Sequence, residues 1–297
     1  MVNDLLASVR TCSLAHADRH GVARPPIAGL STVTTTTPGE LQYAISKPLV
    51  ALLLQGSKRV TFGDRSFDFG PGESLVITAD VPTVSQITGA NIKEPYFSLV
   101  MELDLAVIEE LAVEMNVMAS TAPQVPVRVD HTEEEVVAAA LRLMKLLDRP
   151  SSVPILRDQL VREMHYWLLV GKHGEAIRGL GLAGTHSKRI ARAVAMIRAD
   201  YTQPLRIERL AENVGMSVSS FHEHFRSVTS LTPLQFQKQL RLIEARRLML
   251  AEGTMAKMAA YAVGYESVNQ FIREYGRLFG VSPAREMKKL RSEVCAA

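Results

Sequence analysis

The sequence predicts an α+β chain of two domains: a strand-rich barrel or sandwich followed by helices, then an all-helical C-terminal domain. Three observations predict it. Short apolar or alternating runs crowd residues 28–100 between Gly, Pro and Asp. From residue 103 onward the apolar period is helical. Two stretches of the last third repeat each other at a shift of 50 positions. A length of 297 residues suits about two such domains.

In the strand region LVALLLQ, KRVTF, SFDF, ESLVIT and PYFSLVMEL read as strands. Gly63-Asp64 is expected to close a hairpin, and Gly70-Pro71-Gly72 marks the next turn. TTTT at 34–37 has high β propensity and opens an early strand. The N-terminal segment before it, with Cys12, is expected to be mobile, and Cys12 is an incidental thiol or a redox sensor.

Helices follow over about 103–170. DLAVIEELAVEMNVM is apolar at helix spacing. Thr132 precedes EEEVVAAALRLMKLLDR with Glu135 three residues on, the pattern of a capping box. The stripe of this helix, including Val137, Leu141 and Met144, either packs on its own domain or carries self-association as a homodimer. PILRDQLVREMHYWLLV forms a third helix ending at Gly171, in which His165 and Trp167 read as packing residues. GKHGEAIRGLGLAGT has five glycines in fifteen residues and reads as a linker over 171–185. The first domain is therefore expected over 1–170 and the second over 186–297.

In the second domain SVSSFHEHFRSVTSLTP (217–233) lies over SVNQFIREYGRLFGVSP (267–283), and RLAENVGM resembles KMAAYAVGY upstream. Each copy reads as helix, tight turn, helix, over about 207–228 and 255–279. Gly215 and Gly264 follow the first helix of each copy, where a left-handed residue closes it. Ser217 and Ser267 are placed to cap the second, with Gln270 completing a capping box on Ser267. Phe221 with Phe225 and Phe271 with Tyr275 are four apart and share a buried face. The opposite faces then carry Ser219, His222, Glu223 and Arg226, and Asn269, Gln270, Arg273 and Arg277. Such amide, guanidinium and imidazole groups suit base and phosphate contacts in a major groove of double-stranded DNA.

Between the copies Thr232-Pro233 and Gln235 start a long helix over about 233–251. Its length of about 28 Å approaches the roughly 34 Å between successive major-groove segments on one side of B-DNA. Charge agrees: from His186 onward Lys and Arg number 18 against 10 acidic residues, whereas the preceding residues carry 16 against 21.

These residues carry a resemblance. LAENVGMSVSSFHEHFR, TPLQFQKQLRLIEARRLML and VGYESVNQFIREYGRLFGVSP make residues from about 186 to 291 similar to the DNA-binding domain of the AraC/XylS family. The resemblance implies two helix-turn-helix units on a connecting helix and an N-terminal cupin-like module that binds an effector or dimerises. It implies a sequence-specific transcription regulator, an effector-responsive activator that engages RNA polymerase, or else a repressor. Two departures stand out. Arg206 occupies a capping place where Ser or Thr is usual, and Lys257 stands where an acidic partner of Thr254 is common. Glu223 either accepts from a cytosine amino group or aims away from DNA.

Other classes fit poorly. Residues 28–100 contain no histidine, so a metal-dependent enzyme built on those strands is disfavoured, and neither a cofactor nor a metal is expected. His222 and His224 lie about 200° apart around a helix and cannot chelate one ion together. The repeat places Ile272 and Glu274 at their counterparts. No apolar run approaches the ~18 residues of a membrane helix, and with two distant cysteines, Cys12 and Cys295, the expectation is a cytoplasmic protein without membrane partners.

Overall fold

The computed structural model describes residues 1–116, 126–181 and 186–296. They form two compact units, Met1–Arg189 and Ile190–Ala297. The first opens with α1 (Val2–His16), then β1 (Val22–Ala23), β2 (Leu30–Thr35), β3 (Gln42–Ser46), β4 (Leu49–Gln55) and β5 (Ser57–Phe62). It continues through β6 (Arg65–Phe69), β7 (Glu73–Ile77), β8 (Val81–Gly89), β9 (Tyr96–Glu102), α2 (Leu105–Glu114) and β10 (Val127–His131). The helices α3 (Glu134–Leu146), α4 (Val153–Val170) and α5 (Gly174–Gly181) complete it.

Two antiparallel sheets face each other, a larger one ordered β1-β2-β9-β4-β7-β10 and a smaller one ordered β3-β8-β5-β6. The turns are those the residues dictate. Gly63, at φ +60°, sits first in the two-residue loop between β5 and β6. Gly72, at φ +84°, follows Pro71 in a turn closed by the Glu73 amide donating to the Gly70 carbonyl at 3.1 Å. The outer face of the large sheet, through Val50, Leu52, Phe97 and Leu99, packs with Leu5, Val9 and the stripe of α3 into one core.

Several expectations are corrected here. The N-terminal segment is α1, with Leu5, Val9 and Cys12 buried at helical spacing, so Cys12 is a core thiol. Burial pushes that thiol's pKa up, against a counteracting bond with Thr32. The α3 stripe faces inward: Val137, Leu141 and Met144 are 5%, 9% and 2% exposed. They are covered by their own unit and present nothing to a second copy. Thr132 does not cap α3, whose N-cap is Glu133 with no side-chain cap bond. Within the supposed linker, Gly174–Gly181 is helical, because Ala176, Ile177 and Leu180 bury against α2 and α4. Its remainder, residues 182–185, lies outside the described residues, as do 117 and 118 of the helix expected over 104–118. His165 is a satisfied core histidine: the Asp104 amide donates to Nε2 at 2.9 Å, so Nδ1 carries the proton and donates to the Val161 carbonyl at 2.7 Å.

The second unit is helical: α6 (His186–Ala199), α7 (Ile207–Asn213), α8 (Val218–Thr229), α9 (Pro233–Glu252), α10 (Ala256–Ala262), α11 (Val268–Phe279) and α12 (Pro283–Ala296). No helix among the described residues is long and apolar enough to cross a membrane.

Candidate nucleic-acid interface

The two copies of the repeat fold as α7–turn–α8 and α10–turn–α11. Gly215 and Gly264 take φ +65° and +87° at the turns. In each turn the amide that follows reaches back into the preceding helix, Met216 to the Ala211 carbonyl at 2.9 Å and Tyr265 to that of Ala260 at 3.0 Å. Ser217 and Ser267 cap α8 and α11, accepting from the Ser220 and Gln270 amides at 3.3 Å. Arg206 and Met255 are the N-caps of α7 and α10, neither with a side-chain cap bond, so Thr254 does not fill the expected cap.

Apolar anchors fix which way each second helix faces. Phe221, Phe225, Phe271 and Tyr275 are 0% exposed. Phe225 meets Phe236 of α9 edge-on, with ring centroids 5.7 Å apart. With those residues inward, Ser219, His222, Glu223 and Arg226 on α8 are exposed, as are Asn269, Arg273 and Arg277 on α11. Among the described residues no side-chain hydrogen bond or ion pair engages Ser219, Glu223, Arg226, Asn269, Arg273 or Arg277. Asn269, Arg273 and Arg277 fall at i, i+4 and i+8, one stripe along the helix.

Gln270 departs from its expected place. Its side chain is half-buried and donates to Glu274 at 3.1 Å instead of closing a box on Ser267. Glu274 gathers donors from three elements, accepting also from Lys238 at 3.0 Å and the Tyr265 hydroxyl at 2.8 Å. Burial would raise its pKa, but these donors outweigh that and hold the carboxyl below its ordinary range. Two exposed apolar side chains on these helices went unread in the sequence, Val218 and Ile272, each 40% exposed. The signal was present, since Ile272 aligns with His222 on the outward face.

A single helix holds both units. α9 begins with a complete capping box, Gln235 N to Thr232 at 3.3 Å and Thr232 N to Gln235 at 3.0 Å. The Arg241 guanidinium donates to the carbonyls of Tyr201, Gln203 and Gly264 at 2.7, 3.1 and 2.9 Å. Gln237 adds 3.0 and 2.7 Å bonds to the first two carbonyls. Arg246 grips Glu286 at 2.6 and 2.9 Å, and Glu286 also accepts from the Tyr275 hydroxyl. The bonds to Gly264 and Glu286 fix the second unit on α9, those to Tyr201 and Gln203 hold the segment leading into α7, and Phe236 fixes the first unit. Twenty residues make α9 about 30 Å long.

Comparison with known proteins agrees with this architecture. Residues 26–176 match the AraC-type transcriptional regulator N-terminus, and residues 210–289 match a helix-turn-helix domain. The HTH-type transcriptional regulator ExsA of Pseudomonas aeruginosa is 21% identical over 245 residues, covering 82% of this chain and 87% of that one. The HTH-type transcriptional activator RhaS of Salmonella schwarzengrund is 23% identical over 167 residues, 56% of this chain and 58% of that one. The crystal structure of ToxT from Vibrio cholerae bound to an unsaturated fatty acid shares the fold, with a TM-score of 0.57 at 11% identity over 87% of this chain and 93% of that one. Another ToxT structure gives 0.54 at 11% identity, covering 88% and 98%. The chain belongs to the AraC-type transcriptional regulators and is a DNA-binding transcription regulator.

Proposed function

We propose that this regulator reads two successive major-groove segments of an operator from one side of double-stranded DNA, α8 in one segment and α11 in the next. The observation that carries it is the pair of exposed, unengaged polar faces on helices fixed to one shared helix. Arg273 and Arg277 supply guanidinium groups for base edges or phosphate, and Asn269 an amide suited to adenine. Ile272 supplies an aliphatic surface for a thymine methyl. On α8, Ser219, His222 and Arg226 fill these roles, and Glu223 accepts from cytosine. Lys and Arg around them provide the salt-dependent attraction to phosphate.

Both reading heads lie in one chain, so recognition does not require a dimer, and a homodimer would have to use a surface other than the α3 stripe. We carry two further roles from the relatives. RhaS is an activator, and activation by this chain would work through contact with RNA polymerase in the cytoplasm. ToxT binds an unsaturated fatty acid, and a small-molecule effector in the first unit is proposed here on that precedent. A gel-shift titration on the promoter region adjoining the regulator's own gene tests the DNA reading. Binding that discriminates one promoter segment from shuffled sequence of equal composition supports it, and equal affinity for both rejects it.

A further inference from the structure

Gln270 stands on the reading side of α11 by position and is turned off it by conformation. With Phe271 and Tyr275 inward, it lies about 100° around the axis from Asn269 and about 60° from Arg273. A glutamine in that place suits adenine, which it grips with both ends of its amide, donating to N7 and accepting from the N6 amino group. The Gln270 amide nitrogen instead donates to Glu274 Oε1 at 3.1 Å, and the side chain is half-buried.

Glu274 is held in place independently of Gln270. Lys238 of α9 donates to the same oxygen at 3.0 Å, and the Tyr265 hydroxyl, from the turn before α11, donates to the other at 2.8 Å. The Glu274 side chain is 14% exposed. Burial acts to raise its pKa, and the three donors outweigh that, so the carboxyl is ionised at neutral pH. Burial, then the bond to Glu274, push the Tyr265 pKa up, so its hydroxyl stays a donor. An amide bonded to such a carboxylate makes a charge-assisted bond, roughly twice as strong as one between neutral groups. Reading a base with that amide nitrogen means giving this bond up. The repeat puts Ser220 and His224 at the matching places of α8, so the first unit does not share the pairing.

We infer that Glu274 is a positioning residue for operator specificity: it holds the Gln270 amide off the groove and leaves base selection by α11 to Asn269, Ile272 and Arg273. This rests on the two-groove reading above and adds to it a base preference that the chain withholds. Glu274 acts through Gln270 rather than by touching a base. Without an acceptor at position 274, Gln270 swings to the reading face beside Arg273 and confers a preference for adenine at one operator position.

The test is selection of the full chain on randomised operator sites, followed by gel-shift titration of sites differing at one base pair. Gln270→Ala should leave every wild-type base preference within about twofold, and loss of preference at any position overturns the inference. Glu274→Met fills the same space without an acceptor, and a Tyr265→Phe background keeps any buried hydroxyl from being orphaned. The pair should gain an adenine preference of at least about fivefold at one position over Tyr265→Phe alone. Adding Gln270→Ala should abolish that gain. Glu274→Gln, which keeps an acceptor in place, should select the wild-type site. No gain, or a gain that survives Gln270→Ala, overturns the inference, since a purely structural Glu274 lowers affinity for all sites alike and moves no preference. The Gln270→Ala and Glu274→Gln results stand even if Glu274→Met fails to fold, and an altered preference in either overturns the inference. A wild-type chain that ignores operator sequence defeats the two-groove reading itself. Wild-type discrimination without a Gln270-dependent gain defeats this inference alone.

Discussion

Replacing Gly264 by alanine should damage the second unit far more than the same change at Gly215, although the repeat puts both glycines in the same place. Both have left-handed backbones, which cost an alanine about 1–2 kcal/mol. Reduced freedom of the unfolded chain returns part of this, leaving about 1 kcal/mol at Gly215, where an added Cβ would meet nothing within 4 Å. At Gly264 that Cβ would come to 2.2 Å from the Thr202 carbonyl oxygen and 2.9 Å from the Thr202 Cα. The carbonyl has little room to yield, because Arg241 and Gln237 hold the carbonyls of Tyr201 and Gln203 on either side. Overpacking against pinned backbone adds about 1–3 kcal/mol, so the total is about 2–4 kcal/mol. Urea titration of the full chain by circular dichroism would measure it. Trp167, the one tryptophan, reports the first unit separately and should be unmoved. Equal losses in the two variants, or a Gly264→Ala loss below about 0.5 kcal/mol, would refute the reasoning.

Arg273→Ala should weaken specific operator binding by about 1–3 kcal/mol and relax preference at one operator position, read by selection on randomised sites. Gln270→Ala should change operator affinity less than Asn269→Ala in the same gel-shift titration, because the Gln270 amide is committed to Glu274. Acid should destabilise the first unit through His165 and His173. Burial is the main cause that lowers both imidazole pKa values, opposed at His165 by the bond to the Val161 carbonyl and then by Asp104, and at His173 by Asp130. A folded pKa below the unfolded value of about 6.5 means the unfolded chain binds more protons. Stability is therefore full above about pH 6.5 and falls as pH drops below it, seen as a falling midpoint of the Trp167 transition. His165→Leu should shrink that fall, while leaving the Asp104 amide unpaired at a cost of about 1–3 kcal/mol.

Local chemistry was legible wherever the partner lay nearby in sequence. Ser217, Ser267, Gly215, Gly264 and the helix start at Thr232-Pro233 took their expected roles, because each needs only backbone within a turn or so. Interactions with distant partners were not legible. Gln270 could satisfy Ser267 locally, yet Glu274 is held there by Lys238 and Tyr265, and takes its amide. The strand β10, five residues of VRVDH, is too short to stand out and exists by pairing with β7, about fifty residues earlier in the chain. The glycines of α5 argued against a helix, but burial of Ile177 and Leu180 on α2 and α4 outweighs that propensity. The outward identity of the reading faces followed from the phenylalanine spacing alone.

The central claim is that one chain reads two groove segments through α8 and α11. Hydroxyl-radical footprinting of the full chain on its operator, repeated with Arg226→Ala and Arg273→Ala, tests it most directly. The account predicts two protected segments about one helical turn apart on one side of the duplex, each substitution eroding a different one. A single protected segment, or erosion of the same segment by both substitutions, would contradict it.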